Sequence, residues 1–335
     1  MKRALLVTAV LSSVSIPASA QDPPPLRPVA TYSIVARDTV TGELGVAVQS
    51  HWFSVGPIVP WGEAGVGVVA TQSFVDPRYG PLGLELMRMG RTGPEALRAL
   101  VATDADSAVR QVAMLDAAGN VSAFTGHRAI DAAGHHTGDQ YAVQANLMDL
   151  PTVWPAMARA YEAASGDLAD RMLAALEAAE AEGGDIRGRQ SAAMLIVSPR
   201  STGRPWNDRV VDLRVEDHPD PLGELRRLVT LSRVYRNLNE GDEWVTRGDM
   251  DRAAEAYGRA LALAPDEATN GEAAFWTGIS MVSAGRVEEG ITFLRRAHAA
   301  HSRWIDLLPR LPAAGALPDD PALIGRLQRE MTGRR

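Results

Sequence analysis

The sequence predicts an α+β domain in which strands are layered with helices, followed by an all-α tail built on helical repeats. Three observations carry this. The chain has 335 residues, enough for about two domains. Short β-branched and small apolar runs, bounded by Gly, Pro and Asp, fall into two blocks with Ala-rich helical stretches between and after them. From about Tyr235 a set of small residues returns at a fixed interval. With 46% apolar and 22% charged residues, the composition is that of a folded chain.

Taken in order, Lys2 and Arg3 form a positive start, Ala4 to Val14 an apolar stretch, and Ala18-Ser19-Ala20 a small-residue cleavage site. This is the pattern of a signal peptide over 1–20, too short to span a bilayer, and it predicts an exported, periplasmic protein. Its removal would take the net charge from −7 to −9. Residues 21–30 carry Pro23, Pro24, Pro25 and Pro28 and read as an extended linker or propeptide.

Thr31 to Arg37 and Leu44 to Val48 are strand-like, separated by a turn at Asp38 and Thr41-Gly42. Gly65 to Thr71 is small and apolar, suiting a strand buried on both faces. Pro81 to Thr103 is helical, broken at Gly90 and Gly93-Pro94. Arg110 to Leu115 and Val121 to Thr125 form a hairpin about Asp116 to Asn120. Tyr141 to Met148 is a further strand, and helices follow from Val153 to Glu182 with a break at Ser165-Gly166. Ser191 to Val197 and Val210 to Val215 are the last strands, after which Asp220 caps a helix with Pro221 in its first turn.

In the tail, Gly241, Gly248, Ala260 and Pro265, with Ala253 and Tyr257 between them, fit one tetratricopeptide unit; Gly278, Gly285 and Ala297 repeat three of these positions 37 residues later. The expected unit is ~34 residues, so a short insertion follows Pro265. Trp244, Tyr257, Trp276 and Phe293 are the expected core aromatics. The predicted domains are therefore 31–233 and 234–335.

Composition excludes several chemistries. Lys2 is the sole lysine, so Schiff bases, Walker phosphate loops and Ser–Lys dyads are absent from the mature chain. Without cysteine there is no thiol catalysis, disulfide or thiolate metal site. The acidic balance argues against nucleic acid as a partner. Gly65-Val-Gly67 lacks the third glycine of a dinucleotide loop, so no cofactor is expected. His127, His135 and His136, with Asp131 and Asp139, show no recognised ligand spacing, and no metal is expected.

Five stretches, Thr31 to Asp38, Gly45 to His51, Val69 to Ser73, Gly183 to Ser191 and Val211 to Pro219, resemble domain-of-unknown-function family 1028. That family is grouped with the N-terminal-nucleophile (Ntn) hydrolases. The resemblance covers roughly Thr31 to Arg233 and implies a four-layer αββα sandwich, without supplying a substrate. The tail resembles a segment described in such proteins as peptidoglycan-binding.

The resemblance implies a hydrolase of C–N amide bonds in which the first residue of the mature chain is the nucleophile and its α-amine the base. An unperturbed α-amine titrates at about 7.7–8.0, near enough to neutrality for that work. Thr31 opens the first strand, where such a nucleophile sits, and Ser33 shares its face. Cleavage after Ala20 leaves ten residues before Thr31, so the mechanism requires a second cut at Ala30–Thr31. Asn146 is a candidate oxyanion donor, or an asparagine that satisfies loop backbone. Asp185 and Arg187 enter a buried strand; Arg187 can bind a substrate carboxylate, or the pair holds the turn. His51, beside Trp52 and Phe53, either shapes the cleft, acts as an acid–base group or is a plain loop histidine. The alternative function is a non-catalytic periplasmic binding or scaffold protein whose helical repeats hold a protein, peptide or cell-wall partner.

Overall fold

A computed structural model of the chain describes residues 28–29 and 31–333. The expected signal peptide and most of the expected linker lie outside the described residues. In chain order the elements are β1 (Thr31–Arg37), β2 (Leu44–Ser50), β3 (Pro60–Glu63), β4 (Gly67–Ser73), α1 (Tyr79–Arg88), α2 (Gly93–Thr103), β5 (Arg110–Asp116), β6 (Val121–Thr125), β7 (Gly134–Gly138) and β8 (Tyr141–Asn146). They continue with α3 (Val153–Ala163), α4 (Leu168–Ala181), β9 (Ser191–Val197), β10 (Arg209–Val215), α5 (Pro221–Thr246), α6 (Met250–Leu263), α7 (Glu272–Ser283), α8 (Val287–Ala300) and α9 (Pro321–Met331).

The strands form two antiparallel sheets, one in the order β10-β9-β2-β1-β8-β7 and one in the order β3-β4-β5-β6. Strand periodicity explains how they stack. On β1, Tyr32, Ile34 and Ala36 join a cluster with α3, α4 and the start of α5, while Val35 faces the other way into a cluster shared by both sheets. Both faces are therefore buried, which is why β1, β2 and β4 read as unbroken apolar runs. The outer face of the four-stranded sheet is covered by α1 and α2 through Leu84, Met87, Ala96 and Leu97. The layers thus run helices, sheet, sheet, helices. Helix starts follow local chemistry: Thr92 and Glu95 close a reciprocal capping box on α2, and Asp167 caps α4.

Two short strands were not foreseen. The Pro60–Glu63 and Gly134–Gly138 strands contain Pro, Gly and adjacent histidines, and become strands only by pairing with β4 and β8.

The tail is helical. Gly241 lies against the Tyr257 ring, where a Cβ would come within 2.3 Å of it; 37 residues on, Gly278 lies against Leu294 and the Gly290 carbonyl, where a Cβ would come within 2.8 and 2.9 Å. Gly248 and Gly285, with φ of +77° and +82°, end α5 and α7 at equivalent places. The tail is thus two helical hairpins of one build. Of the four expected core aromatics only Tyr257 is fully buried; Trp244, Trp276 and Phe293 are half-buried, and Phe275 fills the second hairpin, stacked on Trp304. Trp244 is instead covered by the Arg247 and Arg252 guanidinium groups.

The expected boundary at 233/234 falls inside α5, a single 26-residue helix. Its first half buries Leu222, Leu225 and Val229 against the strand layers, and its second half buries Val234 and Leu238 in the tail. At about 100° per residue the two apolar faces lie roughly 165° apart on the helix. A chain ending after Tyr235 keeps the first of these faces whole. It is expected to remain folded, with a urea midpoint close to that of the full chain by circular dichroism. Cooperative unfolding at much lower urea would show that the tail is an integral layer.

Candidate active site

At one end of the sheets the apolar runs give way to polar residues that stay buried: Thr31, Ser33, Ser50, Gln72, Ser73, Gln111, Gln144, Asn146 and Ser191 are each fully sequestered from solvent. Register gathers them. Thr31 stands opposite Ser50 on one side and Asn146 on the other, and Gln72 stands opposite Gln111. Thr31, Ser33, Gln144 and Asn146 alternate in phase with the residues of β1 and β8 that face the second sheet, so their side chains enter the space between the sheets.

There they bond one another, while Gln144 Oε1, Asn146 Oδ1 and the Ser73 hydroxyl are buried without a partner. Gln72 Nε2 donates to the Thr31 carbonyl at 3.1 Å and to Gln111 Oε1 at 2.7 Å. Asn146 Nδ2 donates to the same carbonyl at 3.4 Å and to Gln111 Oε1 at 3.0 Å. Gln111 Nε2 reaches the other sheet through the carbonyls of Ala145 (2.8 Å) and Gly134 (3.1 Å). Ser33 donates to Gln72 Oε1 at 2.6 Å and accepts from Gln144 Nε2 at 3.2 Å. Its hydroxyl is thus held inside the network, one step deeper than Thr31. The network ends at Thr125, whose hydroxyl bonds Gln111 and lies 2.8 Å from His135 Nδ1. Burial, followed by the neighbouring His136, lowers the pKa of His135.

The Thr31 hydroxyl donates to the Val29 carbonyl at 2.8 Å and lies 3.2 Å from Ser50 Oγ. Its backbone nitrogen belongs to an amide, so the described chain holds no N-terminal amine here. The segment before it departs from the expected open linker. Val29 is fully buried and pairs with Ser73 through two main-chain bonds, of 2.7 and 3.0 Å. The apolar Val29 side chain fits the inter-sheet core, which outweighs the stiffness of the prolines before it.

Arg187 and Asp185 stand beside this segment. The Asp185 carboxylate is wholly buried and takes a two-point grip from Arg187, at 3.0 and 2.8 Å, as well as the Arg187 and His51 amides at 2.9 and 3.1 Å. Arg187 Nη1 also reaches the Pro28 carbonyl at 3.4 Å. The pair therefore holds its turn and touches the chain that leads to Thr31. His51 is brought to the same place by its backbone, and its buried Nδ1 has no partner. Two residues that follow members of the network, Ser73 after Gln72 and Leu147 after Asn146, take left-handed φ of +70° and +56°. Strain of this kind, uncommon for residues with a Cβ, gathers where a site over-determines its backbone.

All six predicted site residues, Thr31, Ser33, His51, Asn146, Asp185 and Arg187, lie around the start of β1. The glutamines 72, 111 and 144 and the serines 50 and 73 were not foreseen as members of the site. Their signal was present: three strands end an apolar run on a buried Gln followed by Ser or Ala-Asn, as in Gln49-Ser50, Gln72-Ser73 and Gln144-Ala-Asn146. Chemically the site offers several hydroxyls, several amide donors and one ion pair whose carboxylate is buried. Among the described residues no group of three or more His, Asp or Glu is placed to hold a metal ion.

The crystal structure of a protein from Silicibacter pomeroyi, described as DUF1028, is 34% identical to this chain. It superposes with a TM-score of 0.54, covering 60% of this chain and 84% of that one. No protein with a curated description matches the chain. The model of DUF1028, described as a family of unknown function, matches residues 31–225, from the first residue of β1 to the first turns of α5. More than half of the chain is covered by that match, and the protein belongs to the DUF1028 family.

Proposed function

We propose that the protein is an exported Ntn-type hydrolase that cleaves the C–N bond of a small amide or peptide, with Thr31 as nucleophile. The observation that carries this reading is the placement of a threonine hydroxyl and two carboxamide donors, from Gln72 and Asn146, at the start of a central strand. The order of layers, helices outside two facing sheets, supports it as well.

In the first step the Thr31 hydroxyl attacks the Ala30 carbonyl, and the peptide C–N bond breaks as the acyl group moves to oxygen. Water then hydrolyses the ester, leaving a carboxylate on Ala30 and a free α-amine on Thr31. In turnover that amine takes the hydroxyl proton as Oγ1 attacks a substrate carbonyl, and gives it to the departing nitrogen; water then hydrolyses the resulting ester, releasing the acid and restoring the Thr31 hydroxyl. Asn146 Nδ2, whose present bond to the Thr31 carbonyl is long at 3.4 Å, is the donor for the oxyanion. The tail, proposed to be tetratricopeptide-like, would hold a protein or cell-wall partner.

The full burial of Thr31 under Val29 favours a second reading for any chain that keeps its leader, in which the sandwich is a scaffold and the helical tail the working surface. Intact mass and N-terminal sequencing of protein recovered from the exported fraction separate the two. Wild type is expected to begin at Thr31, and Thr31→Ala to retain Gln21 to Ala30. Cleavage in both would assign the cut to another protease. A stable wild-type chain beginning at Gln21, inactive on amides, would refute the Thr31 mechanism.

A further inference from the structure

We infer that the groove occupied by Pro28 and Val29 is the acyl-side substrate subsite. The groove would take an extended peptide with a small, branched apolar residue two positions before the scissile bond. This rests on Thr31 as the nucleophile, but the recognition it describes is a separate property of the surface.

Val29 is the second residue on the acyl side of the Ala30–Thr31 bond, and each of its groups has a partner. Its N–H donates to the Ser73 carbonyl at 2.7 Å, and its carbonyl accepts from the Ser73 N–H at 3.0 Å. Such a main-chain bridge recognises any extended peptide irrespective of sequence. Sequence enters through the side chain, which is fully buried in the inter-sheet cluster with Val55, Val59 and Val75. A charged residue there would lose its hydration without gaining a partner. The Val29 carbonyl also accepts from Thr31 Oγ1, which ties the bridge to the reacting oxygen. One residue further out, Arg187 supplies a third point through the Pro28 carbonyl, and Arg187 is itself fixed by Asp185.

Ser73 is shaped for this use rather than for the sheet alone. It closes β4 with a left-handed φ of +70°, and its buried hydroxyl has no partner. Outside the regular ladder its main chain forms an antiparallel bridge with Val29. Once the Ala30–Thr31 bond is cut, Pro28 and Val29 are no longer tethered, and an incoming acyl-peptide can make the same contacts.

The test uses full-length chains in which the leader is made unable to occupy the groove, Val29→Asp and, should that variant not fold by near-ultraviolet circular dichroism, Val29→Gly. Each is titrated by fluorescence anisotropy with labelled peptide of residues 23–30 and with the same peptide carrying Asp in place of Val29. The expected result is saturable binding, at least tenfold tighter for the valine peptide, and weakened several-fold by adding Arg187→Ala to the chain. Equal binding of the two peptides, or no binding by a folded variant, would overturn the subsite. Selective binding by these variants, together with a wild-type chain that begins at Thr31 yet hydrolyses no amide, would support the subsite and refute the catalytic reading. Hydrolysis of Pro-Val-Ala and Pro-Asp-Ala amides with equal kcat/KM would support catalysis and overturn the subsite.

Discussion

Replacing Gln111 with leucine is expected to destabilise the protein by about 3–5 kcal/mol, because several buried groups lose a partner at once. The side chain is fully buried; its oxygen accepts from Gln72 and Asn146, and its nitrogen serves Thr125 and the carbonyls of Gly134 and Ala145. Leucine matches the volume but returns none of these bonds. The facing sheets are joined here by polar contacts where elsewhere they meet through valine and alanine, so the loss falls on the sheet–sheet interface. Because the bond between Gln72 and Gln111 is lost in either single variant and can be lost only once, Gln72→Leu and Gln111→Leu together should cost less than the sum of the two alone. Urea unfolding of the four chains measures this cycle. A loss below about 1 kcal/mol for Gln111→Leu would mean that the network contributes little to stability.

Arg110→Met is expected to lose about 3–5 kcal/mol at pH 7, the usual cost of removing one member of a buried ion pair. The Arg110 guanidinium is almost wholly buried, donating to Asp104 at 2.9 Å and to the Phe74 carbonyl at 2.6 Å, with Asp76 at 3.9 Å. Burial pushes both carboxyl groups up, but hydrogen bonds, from Arg78 to Asp76 and from Arg110 to Asp104, hold them below their ordinary values. A carboxyl lowered in the native state contributes stability that is complete above its unfolded pKa of ~3.9 and is lost as pH falls through the native value. The gap between wild type and Arg110→Met should therefore be widest near neutrality and should shrink below about pH 4. Thermal unfolding from pH 3 to 7 reads this directly. A gap independent of pH would show that Arg110 acts through packing of its stem alone.

Most strands and helices were legible in the sequence because each is an apolar run closed by Gly, Pro or Asp. Runs such as Gly67–Ser73 and Ser191–Val197 declare themselves by composition. The Gly134–Gly138 strand does not, since its fate depends on an edge of β8 that becomes visible only when the sheet is built. The start of the helix from Pro221 to Thr246 was legible from Asp220 and Pro221, but its length was not: the domain boundary was placed at 233/234 where the repeat begins, and the apolar stripe changes face there, between Val229 and Val234, without a break in the helix. Of the site, Thr31, Asn146 and the Asp185–Arg187 pair came from the family resemblance and the polar turn. The glutamines were missed because the pattern that closes their apolar runs, a Gln followed by Ser or Ala-Asn, marks a strand end in sequence but does not say whether the Gln faces water or another strand. Their partners lie 14 to 111 residues away on other strands.

The unbroken α5 also sets a rule for how this chain can change length. A helix turns about 100° and advances 1.5 Å with each residue. One residue inserted near Arg233 would therefore swing the whole tail by more than a quarter turn about the helix axis. Seven residues would return it to within about 20° of its bearing while carrying it outward by roughly 10 Å. Insertions in loops leave neighbouring parts where they were, but here the tail is phase-locked to the strand layers. Relatives that carry a comparable tail on a continuous helix should differ there by near-whole numbers of turns. Length variation should gather instead where the helix is absent, in the connections between α6 and α7 or between α8 and α9.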